Sequence, residues 1–192
     1  MRILAVSDVE EDVLTETKTI DGIDLIISCG DLNESYLSYL STVYGAPLFF
    51  VRGNHDLAIT PDIVVGENLH NRLIHYHKLK LLGFEGSPNY TRDAVQYNDG
   101  EMYIMVAGSF FKAVFKGKPD IIVTHAPPKG LHEGDDFCHR GFKAFNWAIS
   151  RFKPRFFIHG HTHLNYVRNS PRISMVGQTK VINVYGYHVF EI

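Results

Sequence analysis

Short apolar runs recur along the chain, and each run ends in polar or glycine-rich residues. The runs hold three or four apolar residues without an intervening polar position, a pattern that predicts strands buried on both faces. Five of them precede the most polar segments of the chain. They are Ile3–Val6, Leu25–Ile27, Leu48–Val51, Ile121–Val123 and Phe156–Ile158.

Segments with the spacing of amphipathic helices lie between these runs. The first is predicted over Glu11–Thr19, and Glu34–Tyr44 repeats apolar residues at helical intervals. Gly100–Lys116 and Phe142–Phe152 have the same pattern. The alternation of strands and helices favours βαβ units and therefore parallel strands.

The end of the chain has a different pattern. Ile173–Val176, Val181–Val184 and His188–Ile192 are separated by glycine-containing turns and predict an antiparallel strand meander. Leu79–Leu82 predicts one further strand. We find no repeat or linker, so we expect one α/β domain with mixed sheets over residues 1–192.

Composition and charge narrow the classes of function. Hydrophobic residues make up 45% of the 192 residues and charged residues 21%, which excludes a disordered or coiled-coil chain. A formal net charge of −2 disfavours a long nucleic acid as partner. No apolar stretch approaches the roughly 18 residues of a membrane span, and no signal peptide is recognisable. We expect a cytoplasmic protein without a membrane partner, and the sequence leaves the oligomeric state open.

Polar side chains follow each of the five apolar runs, and several of the chain's 11 histidines are among them. Because ligands bind at the carboxyl ends of strands in α/β sheets, we expect these side chains to meet at one rim. The candidate residues are Asp8, Glu10, Asp31, Asn54, His55, His125, His161 and His163.

This set of side chains suits divalent metal ions. Carboxylate, amide and imidazole ligands bind Mn, Fe, Zn, Co or Ni, and the oxygen-rich composition favours Mn or Fe. The set holds no thiolate, which excludes a structural zinc finger. It has more ligands than one ion needs, whereas two ions roughly 3.5–4 Å apart clamp the oxygens in a phosphoryl displacement. The sequence therefore predicts a site for two divalent ions.

The motifs resemble those of the calcineurin-like metallophosphoesterases. The matching blocks, in family order, are Asp8-Val9-Glu10, Gly30-Asp31, Gly53-Asn54-His55-Asp56, Thr124-His125 and Gly160-His161-Thr162-His163. The segments Gly83–Pro88 and Thr124–Pro128 further resemble a small branch that lacks a cap and is phosphodiesterase-like. The resemblance covers essentially the whole chain and implies a four-layer sandwich of two mixed β-sheets flanked by helices.

The resemblance also implies a role for each site residue. The first ion would be held by Asp8, Glu10, Asp31 and His163. The second would be held by Asp31, Asn54, His125 and His161, with Asp31 bridging the two. His55 would be the general acid that protonates the leaving group. The implied reaction is hydrolysis of a small phosphate ester, with a diester favoured, by a hydroxide that bridges the metals.

Position 10 departs from the family pattern, because the family has histidine where this chain has Glu10. A carboxylate there adds negative charge and favours a harder ion. Alternatively, Glu10 accepts a hydrogen bond beside the site or interacts with the dipole of the first helix, and the first metal position is weak or empty.

Further residues bear on the substrate. In the family's protein phosphatases an acid and an arginine occupy the positions of Glu34 and Ser35. Glu34 is a candidate for orienting His55, and the absent arginine favours diesters or small phosphate esters. Other candidates for supporting the ligands or touching substrate are Asp56, His139 and Arg140, the last two in a loop whose alternative role is packing.

Three alternatives to a phosphodiesterase remain at this point. A metal-binding scaffold without catalysis is compatible with the missing histidine at position 10, although a scaffold has no need of His55. A phosphomonoesterase or a nuclease would use the same chemistry on a different phosphate ester. Metal stoichiometry separates the scaffold from the enzymes.

Overall fold

Two β-sheets form the centre of the fold, and helices cover their outer faces. The structure, a computed structural model, describes residues 1–16, 20–56, 65–91, 95–136, 138–165 and 171–192. The strands are β1 Arg2–Ser7, β2 Leu25–Ser28, β3 Leu48–Phe50, β4 Glu67–Asn68, β5 Leu73–Tyr76, β6 Leu79–Phe84, β7 Ser87–Pro88, β8 Gln96–Tyr97, β9 Ile121–Thr124, β10 Phe156–His159, β11 Ile173–Val176, β12 Thr179–Asn183 and β13 Gly186–Glu191. The helices are α1 Asp12–Thr15, α2 Glu34–Tyr44, α3 Asp99–Lys116 and α4 Lys143–Phe152.

Both large sheets combine parallel and antiparallel strands. The first has the order β13-β1-β2-β3-β4, and only β13 runs antiparallel to its neighbour. The second has the order β11-β12-β10-β9-β6-β5, with a parallel centre and antiparallel strands at both edges. A two-stranded parallel ladder joins β7 and β8. The predicted mixed α/β architecture is confirmed.

Each central strand contributes side chains to two different cores. In β1, Ile3 and Ala5 belong to the core between the sheets, whereas Leu4 and Val6 pack towards α1 and α2. On the second sheet, Phe157 packs with residues of α3 and α4. Successive residues of a strand point to opposite faces, so strands covered on both sides need continuous apolar runs. The result is the expected order of helices, sheet, sheet and helices.

The helix boundaries follow local capping chemistry. The α2 helix ends at Gly45, which adopts the left-handed conformation with φ of 58°. The α3 helix begins after Asn98, whose side chain accepts from the Glu101 backbone N–H while the Glu101 carboxylate accepts from the Asn98 backbone N–H. The predicted first helix is a single turn, Asp12–Thr15, and residues 17–19 of that prediction lie outside the described residues.

The predicted C-terminal meander is wrong in its last step. β11 and β12 form the expected antiparallel hairpin, but β13 leaves them and pairs antiparallel with β1 in the first sheet, with Arg2 opposite Glu191. Without β13, the polar backbone groups along β1 would be unpaired at a sheet edge. A linear pattern identifies strands but does not identify their partners. Among the described residues, no helix is long and apolar enough to cross a membrane.

Candidate metal centre

The five polar segments meet at the carboxyl ends of strands from both sheets. Strands β1, β2 and β3 of the first sheet and β9 and β10 of the second carry the predicted residues just beyond their last positions. A cavity of about 420 Å³ opens between these strand ends. It is lined by Asp8, Asp31, Asn54, His55, Tyr90, Cys138, His139, His161 and His163. Parallel strands thus bring residues that are distant in sequence to one rim.

Three of the predicted ligands have strained backbones. Asp8, Asp31 and His161 have φ values of 66°, 58° and 64°, a region that residues other than glycine rarely occupy. Such conformations cost of order 1–3 kcal/mol each and persist where the surroundings fix them, commonly at functional sites. Each follows a buried strand directly or within three residues, so the turn aims its side chain back over the strand ends.

Two glycines of the motifs are required by close packing. A Cβ atom on Gly53 would lie 2.0 Å from Asp31 Oδ1 and 2.7 Å from His125 Cε1. A Cβ atom on Gly160 would lie 1.9 Å from Ser7 Oγ and 2.5 Å from Asp8 Oδ2. The glycines of Gly-Asn-His-Asp and Gly-His-Thr-His therefore make room for the carboxylates and imidazole of the site.

Asp31, Asn54 and His125 form one compact group of potential ligands. His125 Nε2 lies 3.3 Å from Asp31 Oδ2 and 3.0 Å from Asn54 Oδ1. The other ring nitrogen, Nδ1, lies 2.7 Å from the Cys29 carbonyl oxygen and donates to it. That hydrogen bond leaves Nε2 facing two oxygen acceptors, an arrangement that a cation or an added proton would satisfy.

Asp8 and His163 provide further potential ligands near Asp31. Asp8 Oδ1 is 3.9 Å from His163 Nε2, and ligand atoms of Asp8, Asp31 and His125 all lie within 4.8 Å of one another. The Asp8 carboxylate also accepts from the backbone N–H of His161, at 3.0 Å to Oδ2. Asp31 therefore lies within reach of ligand atoms from both Asp8 and His125, as a bridging carboxylate would.

The electrostatics of the site reflect carboxylates held away from water. Burial raises the pKa of Asp8. Burial also favours the neutral forms of Asp31 and His125, but their mutual attraction outweighs it. The pKa of Asp31 is therefore held well below its usual range, and that of His125 is raised to about 9. A proton on His125 thus occupies the place that a divalent cation would take.

His161 is buried and has its ring fixed by the backbone. Its Nε2 lies 2.8 Å from the Cys138 carbonyl oxygen and donates to it, which leaves Nδ1 with its lone pair available. Burial lowers the pKa of His161 well below its ordinary value, so the ring is neutral, as a metal ligand must be. The donor set, its ring orientations and the space made by the glycines fit divalent ions.

Tyr90 supports the site and was missed by the sequence analysis. Its hydroxyl oxygen accepts from Asn54 Nδ2 at 2.7 Å, which turns the amide oxygen of Asn54 towards His125. The only signal in the sequence is its position two residues after the Gly83–Pro88 block. Asp56, a candidate for such support, accepts from the backbone N–H groups of Asp31 and Gly53 and so ties two motifs together.

Five predicted residues are not among those that line the cavity: Glu10, Glu34, Asp56, His125 and Arg140. His125 is fully buried, and Asp56 supports the backbone of two motifs. The carboxylate of Glu10 accepts from Asn33 Nδ2 at 2.5 Å on the exposed surface. Glu34 begins α2, and in the described part of the chain no hydrogen bond joins it to His55. Arg140 is exposed. Whether Glu10, Glu34 and Arg140 act in the site stays a prediction.

His55 and His139 both line the cavity. The imidazole of His55 is exposed, and its backbone N–H donates to Asp31 Oδ1 at 2.8 Å. His139 has its Nδ1 2.8 Å from the Asp136 carboxylate, and its ring centroid is 5.1 Å from that of His161. Asp136 is a second supporting residue that sequence analysis did not identify.

The chain is similar in sequence to one protein family and in fold to several solved structures. The family described as calcineurin-like phosphoesterase matches residues 1–165. The crystal structure of TT1561 from Thermus thermophilus superposes with a TM-score of 0.62 at 16% identity, covering 96% of this chain and 89% of that one. Vps29 from Entamoeba histolytica in complex with Zn²⁺ superposes with a TM-score of 0.53 at 14% identity, covering 100% and 86%. No curated protein sequence matched the chain.

At these identities the two structures share the fold alone, whereas the family match extends over the strand ends that carry all of the predicted ligands. This chain belongs to the calcineurin-like phosphoesterases, a family of metal-dependent hydrolases of phosphate esters.

Proposed function

We propose that the chain hydrolyses small phosphodiesters at a centre of two divalent metal ions. The observation that carries this proposal is the cluster of ligand atoms from Asp8, Asp31 and His125, with Asn54 and His163 beside it and an exposed imidazole at His55. A buried cluster of carboxylates is costly without cations, and an exposed histidine beside it is placed for proton transfer.

The ligands divide between two positions around Asp31. Asp8, Asp31 and His163 would hold the first ion, and Glu10 would complete it only by leaving Asn33. The second ion would be held by Asp31, Asn54, His125 and His161. When bound, such ions supply positive charge for the phosphate oxygens and lower the pKa of water. The zinc complex of Vps29, which has the same fold, supports a metal site here.

The chain's own groups orient the substrate and move the proton. The hydrogen bond from the His55 backbone to Asp31 fixes the start of the turn that carries the imidazole. His55 would donate a proton to the leaving oxygen as the ester bond breaks. Tyr90 holds the Asn54 amide in the orientation that directs its oxygen into the site.

The wall of the cavity favours a diester over a monoester. A phosphate monoester carries nearly two negative charges at neutral pH, whereas a diester carries one. Among the described residues that line the cavity, none is lysine or arginine, and position 35 is serine. A monoanionic ester needs no added cationic clamp. His139, held by Asp136, is placed to donate a hydrogen bond to one ester substituent.

The proposal is tested with metal-free protein reconstituted with Mn²⁺. We expect turnover of bis-p-nitrophenyl phosphate with a kcat/KM at least about tenfold above that for p-nitrophenyl phosphate. His55→Ala should lower kcat by roughly 10²–10⁴-fold, the usual contribution of a positioned general acid, while two metals remain bound per chain. Metal loss in that variant would instead make His55 a ligand.

A non-catalytic metal-binding role is the second candidate. It is favoured by one observation, the engagement of Glu10 with Asn33 outside the cavity, which leaves the first position with fewer ligands. Metal analysis separates the two candidates. Two ions per chain with turnover supports the hydrolase, whereas at most one ion without turnover under Mn²⁺, Fe²⁺, Zn²⁺ or Co²⁺ supports the second role.

A further inference from the structure

The outward face of α3 carries an apolar stripe that the fold itself does not use. Ile104, Phe111 and Phe115 are 74%, 68% and 90% exposed, and Gly108 lies between them. We call Ile104, Gly108, Phe111 and Phe115 the α3 seam. The buried residues of the helix, among them Met102, Val106 and Ala113, lie on the opposite face and pack in the core with α4.

The spacing of the α3 seam is that of a helix that pairs with another helix. Its members follow one another at intervals of four, three and four residues, which is the repeat of a coiled-coil seam. An exposed helix face in a protein that stands alone is normally polar. The three large side chains expose roughly 450 Å² of apolar surface, taking about 200 Å² for each full side chain. A patch of this size equals the largest apolar patch of a typical monomer, and such patches are often functional.

Among the described residues, no neighbour of Gly108 requires a glycine at this position. A Cβ atom there would meet nothing within 4 Å, and its φ is not in the left-handed region. Glycine within a helix is disfavoured relative to alanine, so neither space nor backbone conformation requires it. Its effect is a notch in the middle of the α3 seam, which lets a second helix approach closely.

The charges along α3 are complementary to those of another copy of α3 running in the opposite direction. Exposed Asp99 and Glu101 lie in the first turn, and exposed Lys112 and Lys116 lie near the last turn. An antiparallel pair places the acidic end of each copy beside the basic end of the other, whereas a parallel pair would place like charges together.

The apolar residues also fit this arrangement. When two copies cross antiparallel at Gly108, residues equally far from Gly108 on either side lie opposite one another. Phe111 of each copy then lies over the segment between Ile104 and Gly108 of the other, where the notch is. By the same rule Phe115 lies opposite Glu101 and Ile104 opposite Lys112, so each packs on the aliphatic stem of a long charged side chain. The three side chains supply more than half of the roughly 800 Å² per partner that a stable interface buries. Val114, 64% exposed, extends the surface at its edge.

We propose that the chain forms a twofold-symmetric homodimer through antiparallel packing of the α3 seam on its copy. An interface of this kind is self-complementary, because the same patch serves both partners. The proposal does not depend on the chemistry of the metal centre.

Sedimentation equilibrium of the full chain tests the association. We expect a dimer at micromolar concentration, and Phe115→Glu should raise the dissociation constant at least about 30-fold. Met175→Glu is the matched control, because Met175 is an exposed apolar residue on β11, away from α3, and it should leave the dimer unchanged. A wild-type chain that is monomeric at about 100 µM, or equal effects of the two variants, would overturn the proposal.

Cysteine cross-linking tests the orientation in a Cys138→Ser background, where the remaining Cys29 is buried. Only a residue at the twofold axis meets its own copy in an antiparallel pair. Gly108→Cys should therefore form a disulfide-linked dimer rapidly under mild oxidation, and Ile104→Cys should cross-link at least about tenfold more slowly. Equal rates, or faster cross-linking at position 104, would overturn the antiparallel arrangement.

Discussion

Two kinds of residue shape the metal centre: residues with a strained backbone, and glycines that have no side chain. Asp8, Asp31 and His161 adopt positive φ values, and Gly53 and Gly160 leave space for their neighbours. The strain and the missing Cβ atoms have a common effect. They let acceptor atoms from five strand ends approach within a few ångströms of one another, where cations offset the cost of burying them.

Gly53→Ala tests the need for this space. The added methyl group would overlap Asp31 Oδ1, so Asp31 or His125 must move away from the shared position. We expect metal affinity to fall by about 10–100-fold, the loss typical when the support of a ligand is disturbed. Calorimetric titration with Mn²⁺ measures it. Gly108→Ala is the control, because Gly108 lies on α3, does not line the cavity, and its methyl group meets nothing within its own chain. Equal affinities for both variants would contradict the requirement.

Asp8 and Glu10 are two carboxylates at the same turn with different surroundings. Asp8 is buried beside Asp31, whereas Glu10 is exposed and hydrogen-bonded to Asn33. We expect Asp8→Asn to lose the first ion and about 100-fold or more in turnover, because the remaining ion cannot complete the clamp. Glu10→Gln should keep both ions. The number of metal ions bound per chain, measured on the purified variants, tests both expectations. Loss of an ion in Glu10→Gln would show that Glu10 is a ligand.

At the scale of elements, the loop between β9 and α4 is anchored by a buried chain of hydrogen bonds. His159 Nδ1 donates to the Gly160 carbonyl oxygen, so His159 Nε2 accepts from His132 Nδ1 at 3.0 Å. His132 Nε2 in turn accepts from Ser174 Oγ at 2.8 Å. Both rings must be neutral for this chain to form. It connects β10, the loop that carries His139, and β11.

The neutral histidines make stability depend on pH. Burial lowers the pKa of His132 to about 4 and that of His159 to about 3. Their imidazoles in the unfolded chain take up protons near pH 6.5, so the unfolded state binds more protons and the free energy of unfolding falls as pH decreases below that value.

Each ring should cost about 2 kcal/mol between pH 7 and pH 5, so we expect the two together to lower the free energy of unfolding by roughly 3–4 kcal/mol, measured by urea denaturation. His132→Asn should be less stable at pH 7 and show a smaller dependence on pH. His75→Asn, which removes an exposed histidine of β5, should keep the wild-type dependence. An unchanged pH slope in His132→Asn would show that the buried chain does not carry the effect.

At the scale of the whole molecule, the metal centre joins the two sheets. Asp8, Asp31 and Asn54 follow strands of the first sheet, and His125 and His161 follow strands of the second. Cations between them therefore connect the sheets at one edge, while the shared apolar core connects them along the rest of the strands. Metal that binds only the folded chain raises its stability by mass action.

Metal removal should accordingly lower the thermal midpoint. At Mn²⁺ concentrations about 100 times the dissociation constant, we expect a stabilisation of about 2.7 kcal/mol, or roughly 5–10 °C for a domain of this size. Differential scanning calorimetry with and without a chelator measures the shift. Asp31→Asn removes the shared ligand and should show little response to Mn²⁺. A thermal midpoint of the wild-type protein that is the same with and without the chelator would contradict a structural contribution from the metals.

The sequence by itself determined nine of the thirteen described strands, three of the helices and most of the residues that meet at the rim; the short strands β4, β7 and β8 and the edge strand β5 were not predicted. Continuous apolar runs identify strands covered on both faces, and polar residues after parallel strands must lie at one edge. The motif order also indicated the family. These are properties of short segments and of their order, so they can be read without the partners of each segment.

The tertiary structure alone decided which strands pair and which side chains contact one another. In the tertiary structure β13 belongs to the first sheet, where it pairs with β1 at the edge. The tertiary structure also placed Tyr90 behind Asn54 and Asp136 behind His139, and it left Glu10 beside Asn33. It also determined which face of α3 is buried, and so which face exposes Phe115. Such contacts join segments far apart in the chain or depend on how a turn directs a side chain, and no local pattern encodes either.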